Sequence, residues 1–197
     1  MSQAQPLGCV VLAAGQAARF GGPKLEAELE GKSLLRRALE AVPAGAFSAV
    51  RVVVGRPAAA ALAEEFGFCA VPNPWPEQGL SVSVRLGLEG LTQCAGVLFL
   101  VADQPRLRRD TVAALVRVFR TCPRSIVCAA HGGVRGNPCL FPAAFFPELL
   151  ALEGDTGGGA VIRRHPEAVR LVEVSAPELA DVDTPAQLAA LNQTGPP

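Results

Sequence analysis

Three short stretches of this chain carry residues able to do chemistry on phosphates. The first is Leu12-Ala13-Ala14-Gly15-Gln16-Ala17-Ala18-Arg19-Phe20-Gly21-Gly22-Pro23-Lys24, where an apolar run gives way to small residues and two cations. Such a loop leaves backbone N–H groups uncovered for an anion, and Arg19 with Lys24 would suit a polyphosphate. An ordinary strand-to-helix turn with two solvated charges is the competing reading. The second stretch is Ala102-Asp103-Gln104-Pro105. A carboxylate at the end of a buried strand costs desolvation unless it is partnered, and Mg²⁺ holding phosphate oxygens is a suitable partner. The competing reading makes Asp103 a turn former before Pro105. The third is Asp181-Val182-Asp183-Thr184-Pro185-Ala186-Gln187. Thr184 and Gln187 have capping-box spacing with Pro185 at the first helical position, which accounts for those three residues but not for the two aspartates.

Two familiar phosphate loops are excluded. The dinucleotide pattern G-x-G-x-x-G fails because Gln16 and Ala17 follow Gly15. Gly31-Lys32-Ser33 imitates the end of a Walker A loop, but Glu26 stands where its leading glycine belongs and would repel a phosphate. Ser33 reads instead as the cap of a helix beginning at Leu34.

These groups must be positioned by strands and helices in alternation. Apolar runs predict strands over 9–12, 50–54, 68–71, 97–101, 126–129 and 169–174, the last half-buried. Helical spacing fills residues 34–42, an alanine-rich segment through Phe66, residues 111–119 and 160–164. Ser81 reads as the cap of a helix with Val84 and Leu88 on its apolar face. Strands separated by helices predict a parallel sheet covered on both faces, with ligands beyond the carboxyl ends of the strands. The loop after Leu12 and Asp103 both fall at such ends.

Composition narrows the function further. At 197 residues with 50% hydrophobic residues, the chain suits one domain over 1–194, with 195–197 a disordered tail. A net charge of +0 argues against general affinity for nucleic acid or anionic membrane. The apolar run 97–102 falls far short of the roughly 20 residues a membrane span needs. Residues 1–6 lack the pattern of a signal peptide, so the expected location is the cytoplasm. Six cysteines without C-x-x-C spacing predict neither a zinc site nor a disulfide framework. His131, in a glycine-rich loop, reads as incidental.

The loop over 12–24 resembles the signature of the MobA-like nucleotidyltransferases, written L-A-(A/G)-G-x-S-x-R-(M/F)-G-x-x-K. Within that group it looks most like the molybdenum cofactor cytidylyltransferases, since Ala14 is similar to the cytidine users where guanosine users typically carry glycine. Ala17 departs from the pattern's serine, and Phe20 replaces the commoner methionine. Further along, Ser83-Val84-x-x-Gly87-Leu88 resembles S-V-x-x-G-L, Ala102-Asp103-Gln104-Pro105 resembles (G/A)-D-x-P, and Gly136-Asn137-Pro138-Cys139-Leu140-Phe141 resembles G-(N/H)-P-x-L-(F/V). Gly154-Asp155-Thr156-Gly157-Gly158-Gly159 is similar to G-D-x-G-(A/G)-R with Gly159 in place of the arginine, which Arg163 or Arg164 would have to replace. Asp181 to Pro185 matches D-(I/V)-D-T-P.

The resemblance implies a three-layer α/β/α, Rossmann-like, GT-A-type fold with a mainly parallel sheet. It implies transfer of CMP from CTP to the terminal phosphate of molybdopterin carrying its metal, with Mg²⁺ as cofactor. Leu12, Ala13, Ala14, Gly15, Arg19, Gly21, Lys24, Gly79 and Ser83 are the implied nucleotide contacts. Arg19, Lys24 and Asp103 would be catalytic, with Asp103 and Asp183 on the metal. Gly136, Asn137, Pro138, Asp155 and Gly157 would meet the acceptor. A molybdoenzyme or its maturation chaperone is the protein partner this implies. Alternatives are a GTP user of the same fold, a transferase acting on a sugar phosphate or phospholactate-like acceptor, and a non-catalytic carrier of the pterin cofactor.

Overall fold

The structure is a computed structural model that describes residues 5–17 and 19–194. Ala18 and the 195–197 segment, assigned above to the loop and the tail, lie outside the described residues. In chain order the elements are β1 (Leu7–Ala13), β2 (Glu28–Leu29), β3 (Lys32–Ser33), α1 (Leu34–Glu40), β4 (Ala49–Val54), α2 (Pro57–Glu65), β5 (Cys69–Pro72), α3 (Leu80–Leu88) and β6 (Gly96–Val101). They continue with α4 (Arg109–Thr121), β7 (Ile126–His131), β8 (Val134–Pro142), α5 (Phe146–Leu150), α6 (Gly159–Arg164), β9 (Val169–Glu173) and α7 (Pro185–Thr194).

Seven strands form one sheet in the order β5-β4-β1-β6-β8-β7-β9, with only β8 antiparallel to its neighbours. Side chains of a strand alternate between its two faces, and the core divides accordingly. Cys9, Val11 and Ala13 of β1 pack with Leu35 and Leu39 of α1, Ala63 of α2, and Val112, Leu115 and Phe119 of α4. Val10 faces the other layer, with Val84 and Leu88 of α3, Leu149 of α5 and Ile162 of α6. The expected three layers are therefore present, and the strands paired in parallel are nearly continuous apolar runs, as double burial requires. On the α3 side the approach is close: a Cβ on Gly87 would lie 2.3 Å from Val10 Cγ1.

Three local expectations need correction. β8 is a nine-residue strand that the sequence reading passed over, because Gly136, Asn137 and Pro138 are strand-poor residues. α3 begins at Leu80 with Gly79 as its cap, so Ser81 lies buried in the first turn and caps nothing. β9 is an edge strand rather than an alternating half-buried one: Leu171 is exposed while Val172 packs against the core. Elsewhere the local chemistry acts as expected. Ser33 Oγ accepts the Arg36 N–H at 3.2 Å and caps α1, and Lys32 pairs with Glu40. Gly31-Lys32-Ser33 is thus a hairpin strand and not a phosphate loop.

A small third cluster matters for the site. Leu29 and Leu34 bury against Val182 and Leu188, and Asn192 bridges α7 to the β2–β3 turn through Glu28 and Glu30. This docking brings the end of the chain back beside the loop that follows β1.

Candidate functional site

β1 continues through α1 to β4 on one side, whereas the chain returns through α3 to β6 on the other side of β1. The β1–β6 boundary is therefore the topological switch point, where a crevice must open at the carboxyl ends of the strands. A cavity of about 540 Å³ lies there, lined by Leu12, Ala14, Gly15, Gln16, Ala17, Lys24, Gly79, Ser83, Asp103 and Asp155 among others.

Lys24 and Asp103 on the wall of that crevice belong to an ion cluster that extends beyond it to Asp183 and Arg19, neither of which lines the cavity. Lys24 Nζ lies 2.8 Å from Asp103 Oδ2 and 3.3 Å from Asp183 Oδ1, and Arg19 Nη2 lies 3.0 Å from Asp183 Oδ2. Lys24 is the buried member, with 10% of its side chain exposed against 75% for Arg19. Two backbone arrangements make the meeting possible. Asp103 follows the last residues of β6, and its carbonyl accepts the Val182 N–H at 2.9 Å, which ties the 181–183 segment alongside. Gln187 Oε1 accepts the N–H groups of Asp183 and Thr184, and Thr184 Oγ1 accepts the Gln187 N–H, so the capping box at the start of α7 also orients Asp183.

Gln104 and Asp181 complete the cluster, and Gln104 was not singled out in the sequence. Gln104 is buried and donates from Nε2 to Asp181 Oδ1 at 2.9 Å and to the Leu179 carbonyl at 3.1 Å. Burial raises the Asp181 carboxyl above its ordinary range, the Asp103 and Asp183 charges push the same way, and the Gln104 hydrogen bond and Lys24 oppose them. Raising the pH through that range ionises Asp181 later in the folded chain than in the unfolded one, so its ionisation costs stability on the alkaline side. Asn73 is a second residue missed in the sequence. It sits between Pro72 and Pro74 after β5, accepts the Trp75 N–H at Oδ1, and donates from Nδ2 to Ser83 Oγ at 3.0 Å. That bond occupies a Ser83 lone pair and leaves the hydroxyl proton free to donate into the crevice.

The remaining predicted positions divide. Ala13 faces away from this crevice, on the side of α1 and α2, and Gly21 lines neither cavity. Ala17, where the signature has serine, adopts φ +48°, a left-handed conformation costing an alanine about 1 kcal/mol. His131 lies on the sheet rim with Nδ1 2.9 Å from the Val174 carbonyl oxygen.

A second cavity of about 420 Å³ adjoins the first, sharing Leu12, Leu80, Val101 and Asp155. Gly136, Asn137 and Gly157 line it, whereas Pro138 is buried in β8 and does not. Cys139 also forms part of the wall; its hydrogen bond with Cys128 and its burial hold the thiol well above the usual range, which disfavours a nucleophilic thiolate.

Gly79 governs the junction of the two cavities. Its φ of +96° favours glycine, and a Cβ there would lie 2.4 to 2.6 Å from backbone atoms of Gly154 and Asp155. The Ser81 N–H reaches the Gly154 carbonyl at 3.2 Å, and the Leu80 N–H reaches Asp155 Oδ1 at 3.3 Å. Gly79→Ala is expected to destabilise the fold by about 3 kcal/mol, because both the dihedral and a rigid neighbour oppose the methyl group. Urea unfolding checks this; an unchanged midpoint would mean the loop yields freely.

An α/β sheet whose switch point joins a basic glycine loop to a strand-end carboxylate is built to take a ligand beyond the carboxyl ends of its strands. The chain belongs to the MobA-like NTP transferase domain family, whose model matches residues 9–169. It is 28% identical to the purine catabolism protein PucB of Bacillus subtilis (strain 168), over 89% of this chain and 91% of PucB. Among solved structures it is similar to Rv0371c of Mycobacterium tuberculosis H37Rv, with a TM-score of 0.83, 25% identity, and 97% and 99% of the two chains covered. It also shares its fold, at TM-score 0.76 and 16% identity, with CMP:2-keto-3-deoxy-manno-octonic acid synthetase complexed with CTP, covering 96% and 98% of the two chains. Among the described residues, no helix is long and apolar enough to cross a membrane.

Proposed function

We propose that this nucleotidyltransferase moves CMP from CTP to the terminal phosphate of molybdopterin carrying its metal, releasing pyrophosphate. The observation that carries the reading is the triad of Lys24, Asp103 and Asp183, which unites three motifs separated by 79 and 159 positions in the chain. Ala14, which lines the crevice, supports cytidine over guanosine through its resemblance to the cytidine users. The likeness to PucB adds a purine-catabolism context for the product.

In this reading the acceptor oxygen attacks the α-phosphorus in line and the bond to pyrophosphate breaks. The protein's work is placement and charge compensation rather than covalent participation. Amides of the 14–17 loop cradle the triphosphate, and Lys24 and Arg19 neutralise charge that gathers on it. Ser83 donates to the base or ribose, with the Gly79 backbone beside it. Two aspartate carboxylates are hard oxygen donors, few enough to leave coordination positions for phosphate and water, so Asp103 and Asp183 fit Mg²⁺. When bound, that ion would withdraw charge from the phosphate oxygens. Rv0371c has been solved in complex with manganese, which supports a divalent cation in this fold.

A thermal-shift panel of CTP, GTP, UTP and ATP with Mg²⁺ tests the reading. Ligand at a hundredfold over its Kd adds about 2.7 kcal/mol, or about 5 to 10 °C in Tm for a chain of this size. CTP is expected to produce that shift, and pyrophosphate release should follow when molybdenum cofactor is added. A larger shift with GTP moves the chain to the guanosine users. Binding of the pterin cofactor without pyrophosphate release from any nucleotide makes it a carrier.

A further inference from the structure

The second cavity holds a pair of cations that the nucleotidyl transfer just described does not use. Arg135 on β8 and Arg163 on α6 both line it, and they converge over Gly159: a Cβ at that glycine would lie 3.7 Å from Arg135 Nη1, Arg135 Nη2 and Arg163 Nη1 alike. Among the described residues, neither guanidinium has a hydrogen-bond or ion-pair partner. The neighbouring Arg164 points elsewhere and pairs with Glu148 at 3.1 Å, so it is Arg163 that stands near the place where the motif's arginine is missing. The cavity's one carboxylate, Asp155, accepts the Leu80 N–H.

Two guanidinium groups brought together in a concave, partly apolar site repel each other. An oxyanion shared between them removes that cost and gains charge-assisted hydrogen bonds from two planar forks. Position then limits which anion it is. β8 and α6 contribute no residue to the crevice around Lys24, while Leu12, Leu80, Val101 and Asp155 wall both spaces. An acceptor lying in the second cavity must extend its attacking oxygen across those shared residues toward Lys24. Whatever meets the arginines is therefore a different group of the same molecule.

We propose that Arg135 and Arg163 form an anion clamp for a second oxyanion of the acceptor, remote from the oxygen that attacks. The substrate class that follows is a molecule anionic at both ends, the nucleophilic phosphate at one and a phosphate-like, carboxylate or oxo-anion group at the other. This rests on the reading that the second cavity receives the acceptor.

Inorganic phosphate is a suitable probe, followed through the Nε–Hε resonances of the arginines in the ¹⁵N-labelled full-length protein. The Arg135 and Arg163 signals are expected to shift together along one saturable isotherm. Arg163→Ala or Arg135→Lys should weaken that phosphate affinity about tenfold, the loss expected when a bidentate charged contact is removed. Arg164→Ala, the same change in charge one residue away, should leave it intact. Signals that do not move with phosphate, or an effect of Arg164→Ala equal to that of Arg163→Ala, overturn the clamp. CTP with Mg²⁺, read from backbone resonances of the 14–17 loop, separates the two proposals. A silent loop with responsive arginines sinks the nucleotide reading and leaves the clamp, and the reverse sinks the clamp alone. In the transfer assay, Arg163→Ala should raise the acceptor KM about tenfold while the CTP KM holds. A fall in kcat at constant acceptor KM counts against the clamp.

Discussion

Asp103→Asn is expected to lower nucleotide-dependent pyrophosphate release by about 10³-fold, the scale seen when a preorganised charge contact to the reacting phosphates is lost. The substitution is nearly isosteric, so the comparison isolates charge from shape. The Asp103 backbone carbonyl would still accept the Val182 N–H, and the amide oxygen could still accept from Lys24. Melting temperature should therefore change little while turnover collapses. The measurement is a coupled pyrophosphate assay beside a thermal melt. Wild-type turnover in the variant would remove Asp103 from the reaction, and a collapsed melting temperature would assign the carboxylate to the fold.

Lys24→Met is expected to act in opposite directions on two ligands. The ammonium sits between Asp103 and Asp183, so it holds the same oxygens a divalent cation would need. Without it, Mn²⁺ in the absence of nucleotide should bind more tightly, by about tenfold, because the two carboxylates lose their resident cation. The affinity for CTP with Mg²⁺ should fall by about ten- to a hundredfold, since a charged contact to the triphosphate disappears. Methionine retains most of the apolar stem, which is itself largely buried. Titration of Mn²⁺ by electron paramagnetic resonance and of CTP by calorimetry reads both. If neither affinity moves, Lys24 serves only as a counter-ion of the fold. If both fall, it positions the carboxylates instead of competing for them.

The two expectations share one physical picture. In the free protein Lys24 and Arg19 compensate the carboxylates of Asp103 and Asp183 at the switch point. On the proposed function, a triphosphate with its cation would offer each a stronger partner, the phosphates drawing the ammonium and the metal drawing the carboxylates. The cluster is thus pre-assembled by mutual attraction, and on that reading substrate would release it.

Much of this was legible in the chain itself. The apolar runs and their spacing were enough for a covered parallel sheet, since burial on both faces demands continuous apolar strands. Ser33, Thr184, Pro185 and Gln187 act through contacts within four residues, and such local chemistry is readable without a fold. Lys24 and Asp103 could be nominated one at a time, because a cation in a glycine loop and a carboxylate at a strand end each conflict with simple burial, whereas Asp183 was nominated only through the resemblance of 181–185 to D-(I/V)-D-T-P. What the linear order could not contain was their mutual distance, which depends on the strand order and on the docking of α7 through Leu29, Leu34, Val182 and Leu188. Nor could it yield β8, whose Gly136-Asn137-Pro138 segment opposes strand formation and falls at the register shift between the residues that pair with β7 and β6 on either side of it. Asn73, Gln104 and Arg135 escaped for the same reason: each gains its role from a partner 10 to 77 positions away or from the shape of a cavity wall. Residue type, short-range spacing and family resemblance thus nominated the candidate groups, while long-range packing alone decided which of them meet.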